Sequence, residues 1–437
     1  MPFNLPRRPD WPALQRTLRW SILILGPAAV TAILTAILLK LVDVEQRFRF
    51  SHPWLILLLP AGALVIYFFQ RPYPQKAGPM ALPGLHDIRS GLSRYSIPFI
   101  YCSTLLTQFL GGSAGREGGS FQAASGIGQQ FAGWYSSEAV SKGVVVSGSI
   151  ASAFGVLFGT PVAAAFFALE LLRAEKLPYS ALVPCIVGGF TGIGISSFFG
   201  TMPSQFKYLF THTLGMNVNG PFQPDLRLAL ATAGLAVLLG LLYCAFTEAT
   251  RQIRYLTSRH VRPGWLSPVL MALVLAALGY FSPVNEYLGL GILPSSANAP
   301  SILTAFQSGP IDSFGWLWKL LLTLLTLAAG FRGGEIVPLL FIASCLAHVL
   351  APLAGISVSV IVPIAFVAIF AAAANTPLAG IFLGVELFGS RYIVYFALGC
   401  LIAYFFSPPT KTPHRLIIRG IPKLLLRQTH PETEPNQ

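Results

Sequence analysis

The sequence predicts an all-α protein that crosses a membrane many times, and three observations lead there. Only 10% of its 437 residues are charged, 54% are hydrophobic, and mean hydropathy is +0.65. Soluble chains carry about 25% charged residues. The apolar runs are long and lack period-2 alternation, which leaves helices rather than a barrel as the structure that satisfies its own backbone in lipid. Glycines and prolines interrupt several runs, as at Gly159-Thr160-Pro161. Broken helices at membrane depth are tolerated only where the backbone is buried in protein or lines a cavity.

The elements follow in order. Trp20–Leu41 and residues 53–70 read as the first two spans, and a polar connection from Arg71 to Arg94 follows. Residues 98–110 are apolar, and Phe121–Trp134 read as a helix rich in small residues, suited to close packing. Residues 143–172 form an apolar stretch broken at Gly159, and Leu182–Phe199 another span. A polar loop covers 201–225, then Leu228–Thr247 cross again. Arg251, Arg254, Arg259, His260 and Arg262 read as one basic loop on the cytoplasmic side. Leu266–Phe281 return, and residues 282–314, without Lys or Arg, are expected outside. Trp316–Ala329, Ile336–Leu353, Ile356–Ala374, Leu378–Phe388 and Ile393–Phe406 complete the set. Many are too short to span about 30 Å at about 1.5 Å per residue, so tilted and partial helices are expected. Three regions result: a basic cytoplasmic arm at 1–19, a membrane domain at 20–407 with halves at about 20–200 and 226–407, and a short basic cytoplasmic tail at 408–437.

Several function classes are disfavoured. The net charge of +13 lies in tails and loops, where the positive-inside rule places it, and does not point to nucleic acid. Residues 1–19 run into an apolar segment without a cleavage site. Cys102, Cys185, Cys244, Cys345 and Cys400 are scattered in apolar segments with no metal-ligand spacing, and read as small buried hydrophobes. His348 lies deep in an apolar run and is expected to be packed and hydrogen-bonded. No HExxH or Walker pattern is present, so the chain does not read as an enzyme and no cofactor is expected.

The stretch Gly111-Gly112-Ser113-Ala114-Gly115-Arg116-Glu117-Gly118-Gly119-Ser120-Phe121-Gln122 organises the rest. Glycines let backbone N–H groups turn toward a ligand, and a helix starting there adds partial positive charge. An ionisable pair at membrane depth faces a protein interior or a water-filled path. Two readings stand: an anion site with a carboxylate set inside it, or a tight helix crossing with an Arg116–Glu117 salt bridge.

An internal repeat bears on that choice. Residues 160–171, TPVAAAFFALEL, match residues 376–387, TPLAGIFLGVEL, at six of twelve positions, an offset of 216 residues. The same offset places Arg116 on Arg332, Glu117 on Gly333 and Leu105-Leu106-Thr107 on Leu321-Leu322-Thr323. One register aligning three patches marks a duplicated fold. Transporters built from two repeats place their site at the repeat interface. The Gly115–Phe121 loop is therefore expected to face the Arg332–Pro338 loop, which favours the anion reading.

These residues also resemble a known family. Gly115-Arg116-Glu117-Gly118 is similar to the GREG motif of CLC chloride channels and proton-coupled anion exchangers. Gly333-Gly334-Glu335-Ile336-Val337-Pro338 resembles that family's second anion-binding loop, and Asn375-Thr376-Pro377-Leu378-Ala379-Gly380 its N-x-P-L-A-G signature. The likeness covers about residues 20–407. It implies a CLC-type inverted repeat of tilted and broken helices and a homodimer with one pore per subunit. It also implies fluoride or chloride and protons as the transported species, and a multi-pass protein of the bacterial inner membrane; the basic charge of both termini places them in the cytoplasm. Glu117 is implied to be the gating glutamate, with Gly115, Arg116, Gly118, Gly119, Gly334, Glu335, Ile336 and Val337 around the anion. Arg116 is expected to orient the loop rather than touch the ion. Phe331-Arg332-Gly333-Gly334-Glu335-Ile336-Val337-Pro338 looks most like the bacterial fluoride/proton antiporter branch, with Glu335 an extra carboxylate beside the site. That branch has a methionine where chloride members have serine, and Met80 is the candidate, beside its reading as an ordinary loop residue. Departures are Leu171 where chloride/proton exchangers place an internal glutamate, Val337 where the fluoride branch often has threonine, and Ser407-Pro408-Pro409 at the end. The alternative is a chloride channel or chloride/proton exchanger. Glu170 and Glu386, each near the end of a repeat helix, are expected to be structural.

Overall fold

Long apolar stretches become long helices where no glycine or proline interrupts them, and short ones elsewhere. The computed structural model describes residues 11–70, 95–135, 139–172, 181–202, 205–213, 222, 224–294, 299–307 and 309–408. Among these, fourteen longer helices run in chain order. They are α1 (Trp11–Ser51), α2 (Leu59–Gln70), α3 (Ser96–Phe109), α4 (Glu117–Tyr135), α5 (Ala139–Phe158), α6 (Pro161–Leu171), α7 (Leu182–Phe198), α8 (Leu226–His260), α9 (Leu266–Phe281), α10 (Gly315–Ala328), α11 (Ile336–Ala354), α12 (Val358–Ala374), α13 (Pro377–Phe388) and α14 (Ile393–Phe405). No strand occurs among the described residues; the isolated antiparallel bridge is Gly115 to Gly334.

Among the described residues, four helical segments are long and apolar enough to cross a bilayer: Gln15–Ser51, Pro53–Gln70, Leu226–Thr257 and Ile336–Ala354. Eight shorter apolar helices fill the space between them. The chain is thus an all-helical, multi-pass membrane protein with many partial spans. Two sequence expectations are revised. The first helix extends well past Leu41, because Val42 to Ser51 keep helix-forming residues and bury Val42 and Arg49. The basic segment after Thr247 is not a loop: α8 continues to His260, so Arg251, Arg254 and Arg259 stand on a helix. Arg254 turns inward there and donates to the Leu327 carbonyl at 2.7 Å.

The breaks have local causes. After α5, Gly159 takes φ +75° and Pro161 starts α6; after α12, Asn375 takes φ +58° and Pro377 starts α13. A left-handed residue ends one helix, and proline, with its missing N–H and fixed φ, begins the next. The duplication is visible at these breaks. Glu170 accepts from the Leu378 and Ala379 amides at 3.1 and 2.9 Å, opening α13. Glu386 accepts from the Val162 and Ala163 amides at 3.3 and 2.8 Å, opening α6. Each pair maps onto the other at the same 216-residue offset. Phe166 and Phe382, also equivalent, stack with centroids 4.3 Å apart. Small residues let the helices close: a Cβ on Gly155, Gly188 or Gly192 would strike backbone carbonyl oxygens of neighbouring helices.

His348 is buried, and its Nδ1 lies 2.9 Å from the Ala305 carbonyl oxygen. Cys185, Cys345 and Cys400 are buried, whereas Cys102 is exposed and Cys244 half-buried. Cys102 thus departs from the expected burial; it lies between buried Ile100 and Ser103 on α3 and falls on the outer side of that helix.

Candidate functional site

The site forms where two helix starts meet. α3 ends at Phe109, and Gly111 with φ +90° turns the chain into the glycine-rich stretch that leads to α4. In the second half α10 ends at Ala328, Gly330 turns with φ +78°, and the chain enters α11 at Ile336. The two connecting segments cross antiparallel: the Gly115 N–H donates to the Gly334 oxygen and the Gly334 N–H to the Gly115 oxygen, both at 2.6 Å. The expected facing of the two loops is therefore what the structure shows. Hydroxyls fasten the crossing. Ser113 Oγ lies 3.0 Å from Thr323 Oγ1, and the Ser113 N–H donates to Thr326 Oγ1 at 3.0 Å. Gln108 Nε2 donates to the Ala114 carbonyl at 2.6 Å.

Glycine is required at this crossing by contact. A Cβ on Gly334 would stand 2.7 Å from the Gly118 nitrogen and 3.2 Å from Glu117 Oε2, and one on Gly115 would collide with that same oxygen. A Cβ on Gly118 would sit 2.9 Å from the Gly334 Cα, and one on Gly119 would overlap Thr104 Oγ1. The Glu117 carboxylate occupies the space that side chains on Gly115 and Gly334 would take.

Glu117 is the first residue of α4 and is fully buried. Neither of its carboxylate oxygens has a hydrogen-bond partner. The backbone amides of Arg116, Glu117 itself and Val337 lie around it. Val337 is the second residue of α11, so the positive ends of α4 and α11 both bear on the carboxylate. The Arg116 guanidinium reaches a different carboxylate, Asp43 on α1, at 3.5 Å. The tight crossing is thus present, but the Arg116 guanidinium pairs with Asp43 and not with the Glu117 carboxylate. A buried carboxylate whose oxygens make no well-formed hydrogen bond is costly in a low-dielectric interior unless it is protonated.

The other site residues fall as follows. Ile336 and Val337 are buried at the start of α11. Glu335 is half-buried and accepts from Tyr243 Oη of α8 at 2.8 Å; that hydroxyl also lies 3.2 Å from the Ala373 carbonyl. Arg254 of α8 lies close enough to act on Glu335 electrostatically. Met80 lies outside the described residues. Tyr243 and Asp43 were not singled out by sequence, and Arg254 was read only as part of a basic loop. Tyr243 looks like any aromatic in an apolar span, whereas Asp43, an acid closing a long apolar run, was a readable signal. Among the described residues no group of three or more His, Cys, Asp or Glu side chains could hold a metal ion.

Comparisons with known proteins agree with this geometry. The family model described as voltage gated chloride channel matches residues 57–408. A chloride/fluoride channel protein of Pseudomonas syringae pv. tomato (strain ATCC BAA-871 / DC3000) is 31% identical over 390 residues, which is 87% of this chain and 82% of that one. The crystal structure of a CLC-type fluoride/proton antiporter superposes with a TM-score of 0.77 at 28% identity, covering 89% of this chain and 95% of that one. A slow cyanobacterial Cl−/H+ antiporter shares the fold, with a TM-score of 0.73 at 18% identity over 89% of this chain and 94% of that one. With a crossed pair of glycine-rich helix starts, a buried glutamate between them and a family match over most of its length, this chain belongs to the voltage gated chloride channel (CLC) family.

Proposed function

We propose that this protein exchanges fluoride for protons across a bacterial plasma membrane, with Glu117 as the gate. One observation carries the reading: a buried carboxylate without a hydrogen-bond donor sits between two helix N-termini, in the space left by Gly115 and Gly334. That position suits a small anion as well as a carboxylate. Ionised, Glu117 is a tethered competitor for the site. Protonated, it loses its charge and its hold on the helix ends, swings away and leaves the site to the anion. Alternation of the two states moves a proton one way and an anion the other. Gly115, Gly118, Gly119, Gly334, Ile336 and Val337 then shape the anion's seat, and Arg116, held by Asp43, fixes the loop.

Fluoride is favoured by the relatives that bear its name and by Glu335, a second carboxylate one residue before α11. Glu335 is placed to pass protons on the side of the crossing facing Tyr243 and Arg254. Val337, where the fluoride branch often carries threonine, favours the alternative, a chloride channel or chloride/proton exchanger. The working unit is a homodimer with both termini cytoplasmic, so that α1 ends on the outer side.

The test is efflux of fluoride and chloride from liposomes containing the purified protein, with a pH electrode in the bath. Fluoride-preferring efflux with proton uptake is the expected result. Chloride preference would move the chain to the chloride exchangers, and flux without proton movement would make it a channel.

A further inference from the structure

A cavity of about 300 Å³ lies where four helix ends meet: the start of α8, the end of α11 and the starts of α12 and α14. Asp225, Arg227, Gly355, Ser357, Arg391 and Tyr392 line it. None of them belongs to the Glu117 crossing.

Its depth in the bilayer follows from the two long spans beside it. The apolar crossing segment of α8 begins at Leu226, and that of α11 ends at Ala354. Both boundaries fall at the cavity, which therefore sits at the level of the lipid headgroups, beside the hydrocarbon layer. Leu226, Leu230 and Leu353 are 75, 66 and 82% exposed next to it. Leu226 and Leu230, four residues apart, share one face of α8. Large apolar side chains this exposed at a membrane boundary face acyl chains.

The charges suit a phosphate. Two guanidiniums stand against one carboxylate, and Asp225 Oδ1 caps α8 by accepting from the Arg227 and Leu228 amides at 2.9 and 3.2 Å. α12 and α14 start here without side-chain caps, so their amide ends add partial positive charge. Gly355 ends α11 with φ +59°, and a Cβ there would stand 2.8 Å from Arg227 Cζ. Glycine thus lets the Arg227 guanidinium lie against the turn into α12. The Arg391 Cζ lies 5.8 Å over the Tyr392 ring. Guanidiniums match phosphate oxygens in paired hydrogen bonds. The duplicated scaffold does not demand this pair: at the 216-residue offset Arg227 and Arg391 fall on Trp11 and Glu175.

We propose that Arg227 and Arg391, with the starts of α12 and α14, hold the phosphate of an anionic phospholipid whose chains lie along Leu226, Leu230 and Leu353. On the proposed orientation the lipid belongs to the outer leaflet. It ties α8, whose Tyr243 bonds Glu335 just before α11, to the other end of α11 and to α14. A bound lipid therefore stabilises the fold around the site without entering it.

The experiment strips the purified full-length protein of lipid in detergent and titrates in phosphatidylglycerol, phosphatidylcholine or inorganic phosphate. Native mass spectrometry counts the lipid retained, and a thermal melt reads the stabilisation. Phosphatidylglycerol should be retained and should raise the melting temperature. Phosphatidylcholine should do so less, because the arginines repel its ammonium group. Arg227→Gln and Arg391→Gln should each weaken phosphatidylglycerol binding about fivefold, and the double variant about 25-fold. Arg259→Gln, at the opposite end of α8, should bind like wild type. Equal loss in Arg259→Gln, or none in the double variant, would overturn the proposal. So would equal retention of the two lipids, or stabilisation by inorganic phosphate that matches the lipid's. The comparison of lipids on wild type needs no variant, so it decides alone if a substituted protein is not monodisperse. None of these readouts is flux, so the result stands apart from the transport reading.

Discussion

Glu117 and Glu335 show how single positions divide the work of a duplicated scaffold. At the repeat offset Glu117 corresponds to Gly333 and Glu335 to Gly119, so each half contributes one carboxylate, at a different place in its loop. Glu117 lies inside the crossing with no donor, and Glu335 is tied to Tyr243. Replacing Glu117 with Gln mimics the protonated carboxylate permanently. Wild-type flux should rise as pH falls, because acid fills the open, protonated state. Glu117→Gln should carry anion at a rate flat with pH and move no protons; a retained pH dependence of coupled flux would remove Glu117 from the gating role. Tyr243→Phe removes the donor to Glu335 without changing volume much. If Glu335 serves the proton path, this variant and Glu335→Ala should both lower the proton-to-anion ratio; normal coupling in both would leave Glu335 a structural residue.

At the scale of elements, helix starts and stops do most of the positioning. The crossing exists because Gly111 and Gly330 turn out of α3 and α10 and because Gly115 and Gly334 leave no side chain between the two segments. Gly334→Ala would place a methyl against the Gly118 nitrogen and Glu117, an overpacking cost of about 1–3 kcal/mol concentrated at the site. Anion flux in liposomes should fall at least tenfold while the protein remains folded by gel filtration; near-normal flux would show that the close approach is not needed. The caps at α6 and α13 are the second such device. Glu386→Ala leaves the Val162 and Ala163 amides without their carboxylate, and the loss should be about 1.5–3 kcal/mol, the scale of a hydrogen bond to a charged group. Glu170→Ala should cost a similar amount at α13. A thermal melt in detergent reads both, and an unchanged melting temperature would show that water or lipid headgroups replace the carboxylates.

For the whole molecule, duplication explains why the site lies where it does. Two copies of one helix set bring their broken ends together, and the ends carry partial positive charge toward a common point. Neither half builds the site alone: the Gly115–Gly334 bridge, the Ser113–Thr323 contact and the reciprocal Glu170 and Glu386 caps all join one half to the other. The membrane placement follows from composition, since an 11-residue helix such as α6 cannot cross about 30 Å and must be surrounded by protein.

The sequence by itself determined the helical membrane class, the duplication with its register, and the two loops that meet. Each of these rests on local chemistry: apolar runs, Gly and Pro at breaks, and a repeated motif. It also marked Glu117, because a charge set among glycines in an apolar chain is expensive to bury and belongs at a binding surface or a water-filled path. Tertiary structure decided the partners. Arg116 chooses Asp43 and not its neighbour Glu117, Glu335 finds Tyr243 across α8, and Arg227 lies against Gly355. The extension of α8 through its basic end, which turns Arg254 inward, was equally hidden. These pairings join residues tens to hundreds of positions apart, and in a buried interior the energy of a charge is set by what packs around it. No spacing along the chain reports that.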